Sequence, residues 1–206
     1  MNSIFKITVA EEPKIQDYKE KANKELNEFF NEKWVYNTPK VFIVDNRKTI
    51  DLLREDKTKD WVVGWGWGRS AIFILNPLNI SKESCHDGSK YNIEQLIKHE
   101  LCHSFLQKIF GSSKFKWISE GVSLYTAGQL GNYKTPKKFD GFLNDERIYQ
   151  ESGYAIKLLI EKFGKDKLFE FLKKQSDTSE TEKLETVFKE IFGAKMDYSF
   201  FNKLIS

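Results

Sequence analysis

The chain reads as an α+β protein, with a mixed sheet and its helices toward the N-terminus, a long central helix, and a helical C-terminal subdomain. Three observations predict this. Short runs of β-branched and aromatic residues fall before residue 76. From Tyr91 onward, apolar residues recur at helical spacing instead. Strands first and helices afterwards is the α+β order. At 206 residues, with 40% hydrophobic and 15% aromatic content, the chain is long enough to bury one core. A single domain over 1–206 is expected, the sheet and central helix in 1–110 and the helical subdomain in 111–206.

Each element has its own signal. Ile4–Val9 is a first strand. Pro13 opens a helix reaching about Trp34, with Tyr18, Ala22, Leu26, Phe29 and Phe30 as its apolar stripe. Val41–Val44 is a second strand, and Thr49–Leu53 begins a short helix. Trp61–Gly64 and Ala71–Leu75 are two further strands, the latter stopped by Asn76-Pro77. The central helix runs from an Asn92 cap to Phe110, where Gly111 ends it. Another starts near Trp117 and ends by Gly131. A loop follows over Lys134–Gly141, containing Pro136. Three or four amphipathic helices then fill Glu146 to the C-terminus, punctuated by Gly164 and Gly193.

Composition excludes several classes. The net charge of +3 is small for this length, and Lys and Glu are interspersed, so no nucleic-acid partner is expected. Cys85 and Cys102 are too few for a disulfide framework, and Cys102 suits a buried helical position. The segment Met1–Ala10 is too short for a signal-peptide hydrophobic region, and no run approaches membrane-spanning length. A cytoplasmic location without membrane association is therefore expected.

The most informative stretch is His99-Glu100-Leu101-Cys102-His103, which holds two of the three histidines. Residues four apart on a helix lie one above the other, so both imidazoles can grip one small cation. Neutral imidazole is a good zinc ligand, and the intervening Glu can act as general base. A catalytic zinc needs a third protein ligand. A third His six residues after His103, with Gly three after it, is one solution, but Ile109 and Leu106 stand there. The other is a carboxylate from a following helix. Glu120, 17 residues after His103, is flanked by Trp117, Ile118, Val122 and Leu124. A carboxylate in so apolar a setting needs a partner, either this metal or a salt bridge. His86, beside Cys85 and Asp87, reads as a solvated loop histidine or a surface metal trap.

His99-Glu100-x-x-His103 together with Trp117-Ile-Ser-Glu120-Gly-x-Ser-x-Tyr125 resembles the gluzincin metallopeptidases, the peptidase MA-like group that includes thermolysin-like and zinc aminopeptidase enzymes. The resemblance extends over Tyr149-x-x-x-Gly153, Phe163–Leu168 and Phe188–Gly193, covering about Asp60 to the end. It implies a zincin-like fold and one Zn2+ per chain, held by His99, His103 and Glu120. Glu100 would be the general base, and a peptide or protein the substrate. It further implies a tyrosine that stabilises the oxyanion, for which Tyr149 is the nearest match and Tyr154 the alternative. The spacing to Gly153 is one residue longer than the group's pattern. Gly68, Ala71, Ile72 and Phe73 fall where the group keeps an edge strand that pairs with an extended substrate.

The aminopeptidase branch of that group captures the substrate's free amine with a Glu near this strand, whereas Gly64–Asn76 contains no acidic residue. The resemblance therefore implies endopeptidase action, or cleavage of a special substrate, rather than aminopeptidase action. The glycines of Gly64–Gly68 precede a strand and lack a following Gly-Lys-Ser/Thr, which excludes a phosphate-binding loop. The competing expectation is a non-catalytic peptide-binding module on the same scaffold. Glu100 argues against it, because a purely structural metal site has no use for a base beside its ligand.

Overall fold

The computed structural model describes residues 12–176 and 180–205, together with Ile7. Its elements are α1 (Pro13–Phe30), β1 (Lys40–Val44), α2 (Arg47–Arg54), β2 (Gly64–Trp67), β3 (Ala71–Leu75), a short α3 (Ile80–Glu83), α4 (Ile93–Phe110), α5 (Lys116–Thr126), α6 (Ile148–Phe163), α7 (Lys165–Gln175), α8 (Thr181–Phe192) and α9 (Tyr198–Ile205). The α+β class is observed. The expected strand Ile4–Val9 lies outside the described residues, apart from Ile7. No described helix is long and apolar enough to cross a membrane. The chain divides into two compact units, 1–101 and 102–206, and the division falls inside α4 rather than at Gly111.

In the first unit, α1 is shorter than expected. Asn31 takes the left-handed conformation (φ 55°) and stops the helix after Phe30. The Asn27 side chain then holds the returning chain, accepting from Trp34 N at 2.6 Å and donating to Trp34 O at 3.1 Å. Three strands form a mixed sheet in the order β1-β3-β2. β1 runs parallel to β3 with Lys40 opposite Ala71, and β2 runs antiparallel with Gly64 opposite Ile74.

Two expectations are corrected here. The third strand lies at Gly64–Trp67, not Trp61–Gly64, because the alternation of Gly and Trp is itself the period of a strand. Trp65 stacks on Phe73 at 4.7 Å and Phe73 on Phe42 at 5.0 Å, an aromatic row across all three strands. Gly64 and Gly66 fall on the opposite face. The second correction concerns β3. It is the central strand, buried along its whole length, so Ala71, Ile72 and Phe73 have no free edge for a substrate. Among the described residues β2 pairs only with β3, which makes β2 an edge strand. Gly68 (φ 58°) serves the tight turn from β2 into β3.

The loop leading into β2 is held by Arg47. Its guanidinium donates to the carbonyls of Lys59, Asp60, Val62 and Glu83 and to the Thr58 hydroxyl. One side chain thereby satisfies backbone acceptors that no ladder reaches.

The second unit is helical. Trp117, Phe139, Phe142, Phe171, Phe188 and Phe201 form its core, with neighbouring ring centroids between 5.0 and 6.2 Å apart. Gly164 (φ 86°) and Gly193 (φ 70°) end α6 and α8. α5 stops at Thr126, ahead of the Gly131 bound, since Gly128 (φ 70°) turns the chain into a 3-10 turn over Gln129–Asn132.

Helices α5 and α6 approach closely through glycine. A Cβ on Gly121 would lie 2.8 Å from both the Ser152 carbonyl oxygen and Ile156 Cγ1. A Cβ on Gly153 would lie 2.5 Å from Leu130 Cδ2 and 3.0 Å from Leu124 Cβ. Packing therefore accounts for Gly153 without a catalytic role.

Candidate metal centre

Helix α4 begins where Asn92 Oδ1 accepts from Gln95 N at 3.0 Å. Its residues Leu96, Ile97, Leu101, Cys102 and Phe105 are buried, so the helix is enclosed on more than one face. His99 and Glu100 are buried within it, each 7% exposed. His103 follows His99 one turn on and is only half-buried.

Glu120 reaches the same place from α5. Trp117, Ile118, Val122 and Leu124 bury the apolar face of that helix, and Gly121 lets it seat against α6. Glu120 Oε1 stands 3.7 Å from His103 Nε2. One ligand atom from each of His99, His103 and Glu120 lies within 4.8 Å of the other two.

That donor set fits a divalent metal. Two imidazole nitrogens and one carboxylate oxygen are the His₂Glu set of catalytic zinc, whose bond lengths of about 2.0–2.2 Å put neighbouring ligand atoms roughly 3.3 Å apart. The His103–Glu120 separation of 3.7 Å is close to this, and all three ligand atoms fall within 4.8 Å of one another. His103 and Glu120 retain 26% and 20% of their side-chain exposure, so the group is reachable from solvent. A structural site would instead close on four protein ligands.

Glu100 stands outside this trio. Its carboxylate lies against the glycine face of β2. A Cβ at Gly64 would come 3.3 Å from Glu100 Oε1 and 2.8 Å from Leu96 Cδ1, and one at Gly66 would be 4.0 Å from Glu100 Oε2. The glycines thus leave room for a buried carboxylate beside the edge strand, a function the Gly-Trp alternation alone did not reveal.

The tyrosines divide by what their hydroxyls do. Tyr154 donates to the Leu130 carbonyl at 2.9 Å and accepts from Thr135 Oγ1 at 3.3 Å, so its proton is committed to the loop after α5. Tyr149 is half-buried on the first turn of α6. Tyr133 was not anticipated. Burial pushes its phenol up from the ordinary value, and the neighbouring Glu120 carboxylate pushes the same way, which puts Tyr133 within electrostatic reach of the metal group. No spacing rule marks it, because the turn at Gly128 returns the chain irregularly. Among the described residues His86 joins no such group. Its Nε2 lies 2.9 Å from the Trp61 carbonyl oxygen and its ring packs on Tyr91 at 4.8 Å.

Gly121→Ala tests how far the seat of α5 governs Glu120. The new methyl meets backbone, which cannot swing aside, so a loss of about 1–3 kcal/mol is expected from overpacking. Metal affinity should fall as well, since the adjacent residue, Glu120, is the candidate carboxylate ligand. Urea midpoints and competition with a chromogenic chelator measure the two effects. Unchanged values of both would show that the close approach is not what holds Glu120.

Compared with known proteins, the chain matches no family model and no curated sequence.

Proposed function

We propose that the protein is a zinc-dependent peptide hydrolase with a zincin-like fold, most simply an endopeptidase. One observation carries this: His99, His103 and Glu120 converge within 4.8 Å, and the buried Glu100 follows the first of them on the same helix. When bound, a zinc ion supplies Lewis acidity, polarising a carbonyl and lowering the pKa of water to about 7.

The chain's own residues supply the rest. Glu100 accepts the proton of the attacking water and returns it to the leaving amine, a general acid–base role worth about 100- to 10,000-fold. Glycine at 64 and 66 keeps side chains away from that carboxylate. A phenol donates a hydrogen bond to the oxyanion. Tyr133 is favoured by its proximity to the Glu120 charge, with Tyr149 as the sequence-derived alternative and Tyr154 already engaged. An extended peptide adds to β2, the edge strand beside Glu100, in place of the central β3.

The purified protein should carry about one zinc per chain by elemental analysis, the stoichiometry of a single His₂Glu site. A strong chelator should remove the metal together with hydrolysis of an unstructured protein, and added zinc should restore both. Protein that stays metal-free in excess zinc would overturn the reading. Bound zinc without hydrolysis of any peptide would leave a binding module.

A further inference from the structure

We infer that the segment carrying the carboxylate ligand selects peptides bearing acidic side chains. The charge of this protein is not evenly spread. Residues 111–139 contain five lysines and a single acidic residue, Glu120, for a net +4, while the whole chain carries +3. The remainder is therefore slightly acidic, and the basic excess is concentrated around one proposed metal ligand.

The five lysines, at 114, 116, 134, 137 and 138, are all exposed. Lys116 stands one turn before Glu120 on α5, on the same side of the helix. Lys134 adjoins Tyr133, the phenol that feels the Glu120 charge, and Lys137 and Lys138 continue the same loop.

Within the segment almost nothing neutralises them. Some lysines elsewhere meet carboxylates, as Lys21 does Glu94, Lys98 does Glu25, and Lys174 both Glu170 and Glu190. In this segment Lys138 makes a contact of 3.9 Å with Asp140. Lys114, Lys116, Lys134 and Lys137 have no carboxylate partner among the described residues. Exposed lysines on the segment that carries Glu120 attract anionic partners and raise their encounter rate.

The inference rests on the peptide-hydrolase reading for the identity of the ligand as a peptide. The peptide also fits the segment better than a nucleic acid does, since no aromatic side chain interleaves the lysines at 134, 137 and 138 to stack a base.

The test uses the full zinc-loaded chain and fluorescent peptides identical except for flanking Glu/Asp, Gln/Asn or Lys. Binding is read by anisotropy on the Glu100→Gln protein and cleavage on the unsubstituted protein. Acidic peptides should bind at least about tenfold more tightly than neutral ones at low salt, with the difference collapsing near 0.5 M salt as charges are screened. The combined Lys134→Glu, Lys137→Glu, Lys138→Glu variant should lose or invert that order.

Equal binding of acidic and neutral peptides overturns the inference, as does a preference that survives charge reversal. Tighter binding of a labelled single-stranded oligonucleotide than of the acidic peptide overturns it too. Preferential binding of acidic peptides without cleavage of any supports this inference and removes the hydrolase reading. Cleavage without charge preference does the reverse.

Discussion

Glu100→Gln is expected to keep about one zinc per chain and to lose peptide hydrolysis by about 100- to 10,000-fold, the usual worth of a general base. The metal should stay because its proposed ligands are His99, His103 and Glu120, none of which changes. The amide has nearly the same shape as the carboxylate, so it fits the space left by Gly64 and Gly66 without new contacts. It cannot accept the proton of an attacking water. The loss should therefore fall on kcat with KM nearly unchanged, the pattern of an interaction made only in the transition state. Stopped assays at matched zinc occupancy measure it. Activity within threefold of the unsubstituted protein would sink the mechanism, whatever the metal content.

Much of this site was legible in the sequence because helices are local. Two histidines four residues apart must share a face, and the apolar surroundings of Glu120 pointed to a partner for it, although its side chain is only half-buried. Cap and stop signals likewise placed α4 within a residue of its observed ends. What was illegible depended on long-range pairing. Nothing local says that Ala71–Leu75 becomes the middle strand, since that is decided by β1 pairing to its far side. The Gly-Trp run was ambiguous until its two faces had partners: an aromatic row on one side, Leu96 and Glu100 on the other. Tyr133 reaches Glu120 only through the irregular turn at Gly128 and the loop held by Tyr154. Uniform charge was also an average. It concealed a basic segment because the compensating acids lie elsewhere in the chain.

Glu151 is the position where a single substitution should cost the most stability. It lies on an amphipathic helix, yet its side chain is fully buried. Oε2 accepts from the backbone N–H groups of Asp140, Gly141 and Phe142 at 3.2, 3.1 and 3.3 Å. Oε1 lies 3.1 Å from Arg147 Nε, an ion-pair contact rather than an aligned hydrogen bond. One carboxylate thus closes the loop over 140–147 onto the start of α6, where Arg147 itself sits at positive φ (47°). Glu151→Ala leaves three backbone donors unsatisfied, two of them in buried residues, and opens a cavity beside Phe142 in the aromatic core. Breaking a buried charged network of this kind costs about 3–5 kcal/mol, and the melting temperature should drop by on the order of 10 °C. Glu151→Gln should cost less, because its carbonyl still accepts from the loop while only the ionic contact to Arg147 is lost. The effect should reach the candidate metal centre: Ser152, next in sequence, supplies the carbonyl against which Gly121 is seated, and Gly121 follows Glu120. Zinc affinity should accordingly fall in the order unsubstituted, Gln, Ala, measured by chelator competition at a temperature where all three remain folded. A Glu151→Ala protein as stable as its parent would mean that the loop's donors find water instead, and that α6 does not need this anchor to support the ligand helix.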